Sequence, residues 1–131
     1  TVTDNFFPYV QSSETGNHVG VRYVALTDET GFGLMAAATE TMEFSALHYT
    51  AEELNRGVHP YELNAEANVI LRLNAIQLGV GGDDGWTRLV THEHYRPHAP
   101  VYRYGFILSA ITSDDDATAL ARSWQTSAAA K

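Results

Sequence analysis

Apolar and polar positions alternate with a period of two along most of this chain, in short segments bounded by turn residues. In Val19-Gly20-Val21-Arg22-Tyr23-Val24-Ala25-Leu26 the odd positions are apolar and Arg22 points the other way, which predicts a strand. Asp28-Glu29-Thr30-Gly31 predicts a turn, and Phe32 to Ala38 supplies its hairpin partner. Met42 to Tyr49 predicts a third strand, with Phe44, Ala46 and His48 on one face. Val69, Leu71 and Leu73 alternate with Asn68, Ile70 and Arg72 in a further strand. Val101 to Ser109 predicts the last, with Tyr102, Tyr104, Phe106 and Leu108 on one face.

Two stretches break the alternation. Thr50-Ala51-Glu52-Glu53-Leu54 fits a capping box, in which Thr50 accepts from the Glu53 backbone and the Glu53 side chain returns the bond. Gly57 and Pro60 keep that helix short. Ser113-Asp114-Asp115-Asp116 places acids at the positive end of a helix dipole, predicting a helix over Ala117 to Trp124 and a frayed end from Ser127 to Lys131. Several strands joined by short turns predict an all-β fold with short helical insertions. The expected architecture is a β-sandwich whose sheets face each other across the apolar positions above.

Composition narrows the functional classes. A chain of 131 residues is the size of one domain and buries about two-thirds of its unfolded surface, so it folds without metal or disulfide. Cysteine is absent, which removes thiolate chemistry. A net charge of −8 opposes binding to nucleic acid or to anionic membrane, and no apolar run approaches the length of a membrane span. The opening Thr1-Val2-Thr3-Asp4-Asn5-Phe6-Phe7 has neither Met nor signal-peptide character and brings aromatics at once. This is the pattern of a piece cut from a larger protein, and the missing signal then says little about compartment.

Gly79-Val80-Gly81-Gly82-Asp83-Asp84-Gly85-Trp86 is the most informative stretch. Glycine permits backbone angles that other residues resist, so such a loop turns sharply and pushes one flat ring outward. Trp86 is that ring. An aromatic plate beside carboxylates suits a sugar: the ring stacks on the C–H face of a pyranose and the acids accept from hydroxyls. The alternative is a tight turn with the indole lying back on the protein. His92, His94 and His98 suggest a metal site, but Pro97 and Pro100 make the segment a loop and no fourth ligand is suitably spaced. Asp83 and Asp84 are adjacent and point to opposite sides, so they cannot bracket a glycosidic bond; Asp115 and Asp116 fail for the same reason. Ser45 and Ser109 lie in strands without a glycine elbow, and the glycine loop lacks the lysine of a phosphate loop. Recognition remains, with Trp86 as one wall of a site completed by other protein, since a single aromatic binds weakly alone.

Dispersed motifs, in order, resemble one family. They are Phe7-Pro8-Tyr9-Val10 with Glu14, Gly16 and Asn17; Val21-Arg22-Tyr23; Phe44-Ser45-Ala46-Leu47-His48-Tyr49-Thr50 with Glu53-Leu54; His59 with Tyr61-Glu62-Leu63; Gly79-Val80-Gly81-Gly82-Asp83 with Trp86; and Tyr102-Tyr104-Phe106. Over residues 4 to 109 the chain resembles the C-terminal β-sandwich domain, of small-chain or domain 5 type, of glycoside hydrolase family 2 β-galactosidases. The resemblance implies a supersandwich of galactose-mutarotase-like kind over 1–109, possibly incomplete, and a tail over 110–131. It implies a retaining enzyme acting on terminal β-D-galactosides such as lactose, whose two catalytic glutamates lie in a barrel absent from this chain. No catalytic residue is therefore expected here, and the isolated chain is not expected to be an enzyme.

Only Trp86 carries over as a substrate-binding residue, with Gly81, Gly82 and Asp83 supporting its loop. Gly85 and Thr87 flank it where the family often has Ser, and Gly or Ser; Ser12 stands where the family usually has Pro. No cofactor is expected in this chain, the magnesium and sodium common to such enzymes being bound elsewhere. The expected partners are the rest of a β-galactosidase chain or a large subunit, and a galactoside. A free-standing carbohydrate-binding module and a purely structural, assembly-bracing domain are the competing readings. The sequence does not give the compartment, though the resemblance leans to the cytoplasm.

Overall fold

The computed structural model describes residues 1–78, 91–98 and 101–129. Strands dominate: β1 (His18–Thr27), β2 (Gly33–Leu47), β3 (Ile70–Asn74) and β4 (Phe106–Ile111) form one sheet in the order β1-β2-β3, with β4 also paired to β2. Helices are α1 (Ala51–Arg56) and α2 (Ala117–Ala129), and single 3-10 turns span Thr3–Asn5, Pro60–Glu62 and Glu93–Tyr95. The chain is predominantly β. None of its described helices is long and apolar enough to cross a membrane.

The residues group into two compact units, Thr1–Val21 with Glu43–Leu73, and Arg22–Met42 with Asn74–Lys131. In the second, β4 runs antiparallel to β2, with Leu34, Ala36 and Ala38 opposite Ala110, Leu108 and Phe106. Opposed residues share a face, so Gly33, Met35 and Ala37 lie on the other side with Ile111, Ser109 and Ile107. α2 covers that second side: Met35, Ala37, Ile111 and Ala121 are buried together, with Tyr23, Ala25, Ala117, Leu120 and Trp124 packed around them. Asp116 caps the helix by accepting from the backbone of Thr118 (2.9 Å) and Ala119 (3.0 Å). Near the other end Gln125 Nε2 donates to the carbonyls of Ala38 (3.2 Å) and Glu40 (3.1 Å).

The turn into β2 is built by Asp28. Its carboxylate accepts from Thr30 N (2.8 Å) and Thr30 Oγ1 (2.6 Å), and Gly31 follows at φ +86°, a left-handed angle. Gly33 then lets β2 approach β1 so closely that a Cβ there would run into the Leu26 carbonyl.

In the first unit Thr50 caps α1 by accepting from Glu53 N at 3.1 Å, as expected. The returning half of the capping box is replaced. The Glu53 carboxylate instead binds Arg56 (2.9 and 2.6 Å), Asn64 N (2.6 Å) and Asn64 Nδ2 (3.1 Å). Glu62 likewise accepts from the backbones of Val58 (2.7 Å) and His59 (3.0 Å), and Arg72 pairs with Glu14.

Three expectations are corrected. The separate strands expected over Phe32–Ala38 and Met42–Tyr49 are one strand, β2, because Thr39-Glu40-Thr41 contains no breaker and Thr39 N stays bonded to the Gly105 carbonyl at 2.9 Å. The last strand starts at Phe106 rather than Val101 and continues to Ile111. The final helix runs to Ala129 instead of fraying from Ser127: Thr126 and Ser127 hydroxyls donate to the carbonyls of Arg122 and Ser123, both at 3.0 Å.

Candidate functional site

The glycine loop, with Gly81, Gly82, Asp83 and Trp86, lies outside the described residues. β3 leads toward it, and the description resumes at Thr91, in a segment whose three histidines are separately engaged. His92 and His94 rings are 5.9 Å apart, His94 lies 3.9 Å from the Tyr95 ring, and His98 Nε2 meets the Glu93 carbonyl at 2.7 Å. Among the described residues no group of three or more His, Cys, Asp or Glu side chains is arranged to hold a metal ion.

The described carboxylates serve the fold. Hydrogen bonds from Arg56 and from the Asn64 backbone hold Glu53 down to about 2, against an ordinary value of 4.5. The backbone N–H groups of His59 and Val58 lower Glu62, the Thr30 hydroxyl lowers Asp28, and the Thr112 hydroxyl lowers Asp115. A general acid for glycoside cleavage needs the opposite shift, a carboxyl kept protonated near neutrality. Every resolved carboxyl shift among the described residues runs downward. These groups act as fixed acceptors that tie turns and caps.

What the described surface offers is contact. On the side of β4 away from α2, Leu108 is 54% exposed and Phe106 39%, with Leu34 and Tyr104 open nearby in the chain and register. The Tyr104 and Phe106 rings lie 6.1 Å apart. Of Tyr102, Tyr104, Phe106 and Leu108, expected on one strand face, Phe106 and Leu108 share a face of β4, whereas Tyr102 and Tyr104 precede the strand.

A smaller site escaped the sequence reading. Val2, Thr3, Phe6, His48, Tyr49 and Ala65 line a pocket of about 180 Å³. Its residues come from the first 3-10 turn, the end of β2 and the loop before β3, so no local spacing signals it.

These features define an all-β module whose α2 covers one face of the β2–β4 pair, with Phe106 and Leu108 exposed on the other. Residues 1–108 match the family described as beta galactosidase small chain, and the chain belongs to that family. Curated relatives agree. It is 34% identical over 112 residues to a beta-galactosidase of Streptococcus thermophilus, covering 85% of this chain and 11% of that protein. It is 37% identical over 99 residues to a beta-galactosidase of Priestia megaterium (76% and 10%), and 39% identical over 99 residues to beta-galactosidase BgaC of Bifidobacterium adolescentis (73% and 9%). The chain thus spans about a tenth of the length of these relatives.

Proposed function

We propose that this chain is a non-catalytic part of a retaining β-galactosidase that cleaves terminal β-D-galactosides such as lactose, and that it completes the active site with the Trp86 ring. The observation that carries the reading is membership of the small-chain family together with coverage of only a tenth of each relative. In this reading residues 1–109 are the family's domain, and 110–131 extend it with the end of β4 and with α2. The sheet is one layer of a β-sandwich of galactose-mutarotase-like kind, and the exposed strip on β4 is where the second layer packs. The nucleophile and the acid/base, with magnesium and sodium, reside in the remainder, in the cytoplasm. The chain's partner is that remainder, as one polypeptide or as a large subunit.

The division of labour follows from chemistry. Retaining cleavage needs two carboxyls about 5 Å apart across the glycosidic bond. This chain supplies instead a platform for the leaving sugar, held by Gly81, Gly82 and Asp83. Stacking by a desolvated aromatic contributes about 1 kcal/mol beyond burial, so Trp86→Ala in the complete enzyme is expected to weaken sugar binding about fivefold and to alter transfer to glucose. Unchanged kinetics with lactose and allolactose would overturn the role of Trp86. Calorimetric titration of the isolated chain with lactose is expected to give no measurable heat; saturable binding would favour a free-standing carbohydrate-binding module.

A further inference from the structure

The pocket around His48 has walls of known chemistry. Phe6 and Tyr49 form one side, their ring centroids 4.8 Å apart at 49°, and Val2 and Ala65 add apolar surface. His48 is fixed from two directions by one residue: Glu66 N donates to the His48 carbonyl at 2.6 Å, and His48 Nδ1 lies 3.1 Å from the Glu66 carbonyl oxygen. A carbonyl oxygen only accepts, so Nδ1 carries the hydrogen in that contact. In the neutral ring Nε2 is then the acceptor. Thr3 and Tyr49 each bring a hydroxyl to the lining as well.

We infer that this pocket is an anchor site for a single hydroxylated aromatic ring, a tyrosine side chain of the protein that completes this chain, whose phenol O–H donates to His48 Nε2. The inference rests on the reading above that a larger remainder completes this chain, and on relatives of which the matched residues are only about a tenth. The volume, about 180 Å³, is below the range of drug-sized ligand pockets and suits one ring. A pyranose fits the chemistry poorly. It carries several hydroxyls, and a wall offering one imidazole nitrogen and the hydroxyls of Thr3 and Tyr49 would leave others unpaired at a cost. A phenol needs one acceptor and otherwise presents apolar surface to Phe6 and Tyr49. Aromatic anchors in small desolvated pockets dominate many interfaces.

The test titrates the full chain with N-acetyl-tyrosine amide, N-acetyl-phenylalanine amide and methyl β-D-galactopyranoside, followed by the His48 imidazole resonances. The tyrosine amide is expected to bind about tenfold more tightly than the phenylalanine amide, the gain of one good hydrogen bond. His48→Phe is expected to abolish that preference while retaining aromatic binding. Ala65→Leu, at an exposed rim position, fills the pocket and is expected to abolish binding of both amides whether or not the His48 variant folds. Equal affinity for the two amides, or binding indifferent to Ala65→Leu, overturns the inference. Preference for the galactoside overturns it in favour of a sugar site. Trp86→Ala kinetics in the complete enzyme do not depend on this pocket, so the two readings fall separately.

Discussion

Glu53 shows how one carboxylate joins a helix to the chain that follows it. Its side chain is 16% exposed and accepts from Arg56 in α1 and from the Asn64 backbone beyond it. Because its folded pKa is depressed, to about 2, the stabilisation is complete above the ordinary value of 4.5 and is lost as pH falls from there toward 2. Urea midpoints measured against pH are expected to decline over that window. Glu53→Gln should lower the neutral-pH midpoint and flatten the decline. Gly31 makes a different demand. Its φ of +86° is left-handed, and a Cβ would lie 2.8 Å from Ser113 Cβ. Gly31→Ala is expected to cost about 1–2 kcal/mol from conformation alone, read from equilibrium denaturation. The Thr50 cap could be read from sequence because it uses backbone three residues away. The partner of Glu53 could not, because Asn64 competes for the carboxylate from outside the local window.

At the level of elements, the alternation of β1 and the acidic start of α2 were legible, since each rests on neighbours in sequence. The continuity of β2 was not. Its burial is nearly unbroken over Met35–Ala38 and again over Ser45–Leu47, the signature of a strand covered on both faces rather than of alternation. The destination of α2 was equally hidden, since which sheet face a helix covers is a tertiary fact. That packing makes a graded prediction. Met35, at 0% exposure, has no path to solvent, and Met35→Ala is expected to destabilise by about 2–5 kcal/mol. Trp124 packs on the same cluster but is only half-buried, so Trp124→Ala should cost less, about 2 kcal/mol, in the same denaturation assay.

For the whole molecule, the family was legible from dispersed motifs, whereas the site was not tied down. The glycine loop falls outside the described residues, and what the structure adds is surface. If the β4 strip is a covered face in the complete enzyme, polar substitution there should separate stability from assembly. Leu108→Glu is expected to change the melting of the isolated chain little, within about 0.5 kcal/mol as for other exposed positions. The same change in the complete enzyme should reduce assembled, active protein in size-exclusion and activity measurements. Equal yield and activity would argue that the strip is never covered.

The two units also bear on how the chain is made. One of them is assembled from Thr1–Val21 and Glu43–Leu73, stretches interrupted by Arg22–Met42. During synthesis its first part therefore meets the last of its partners only when residue 73 has left the ribosome. The other unit is completed later, once β4 and α2 emerge to join Arg22–Met42. Lengthening the interrupting stretch would therefore raise the loop-closure entropy of the earlier unit and postpone its completion on the translating ribosome.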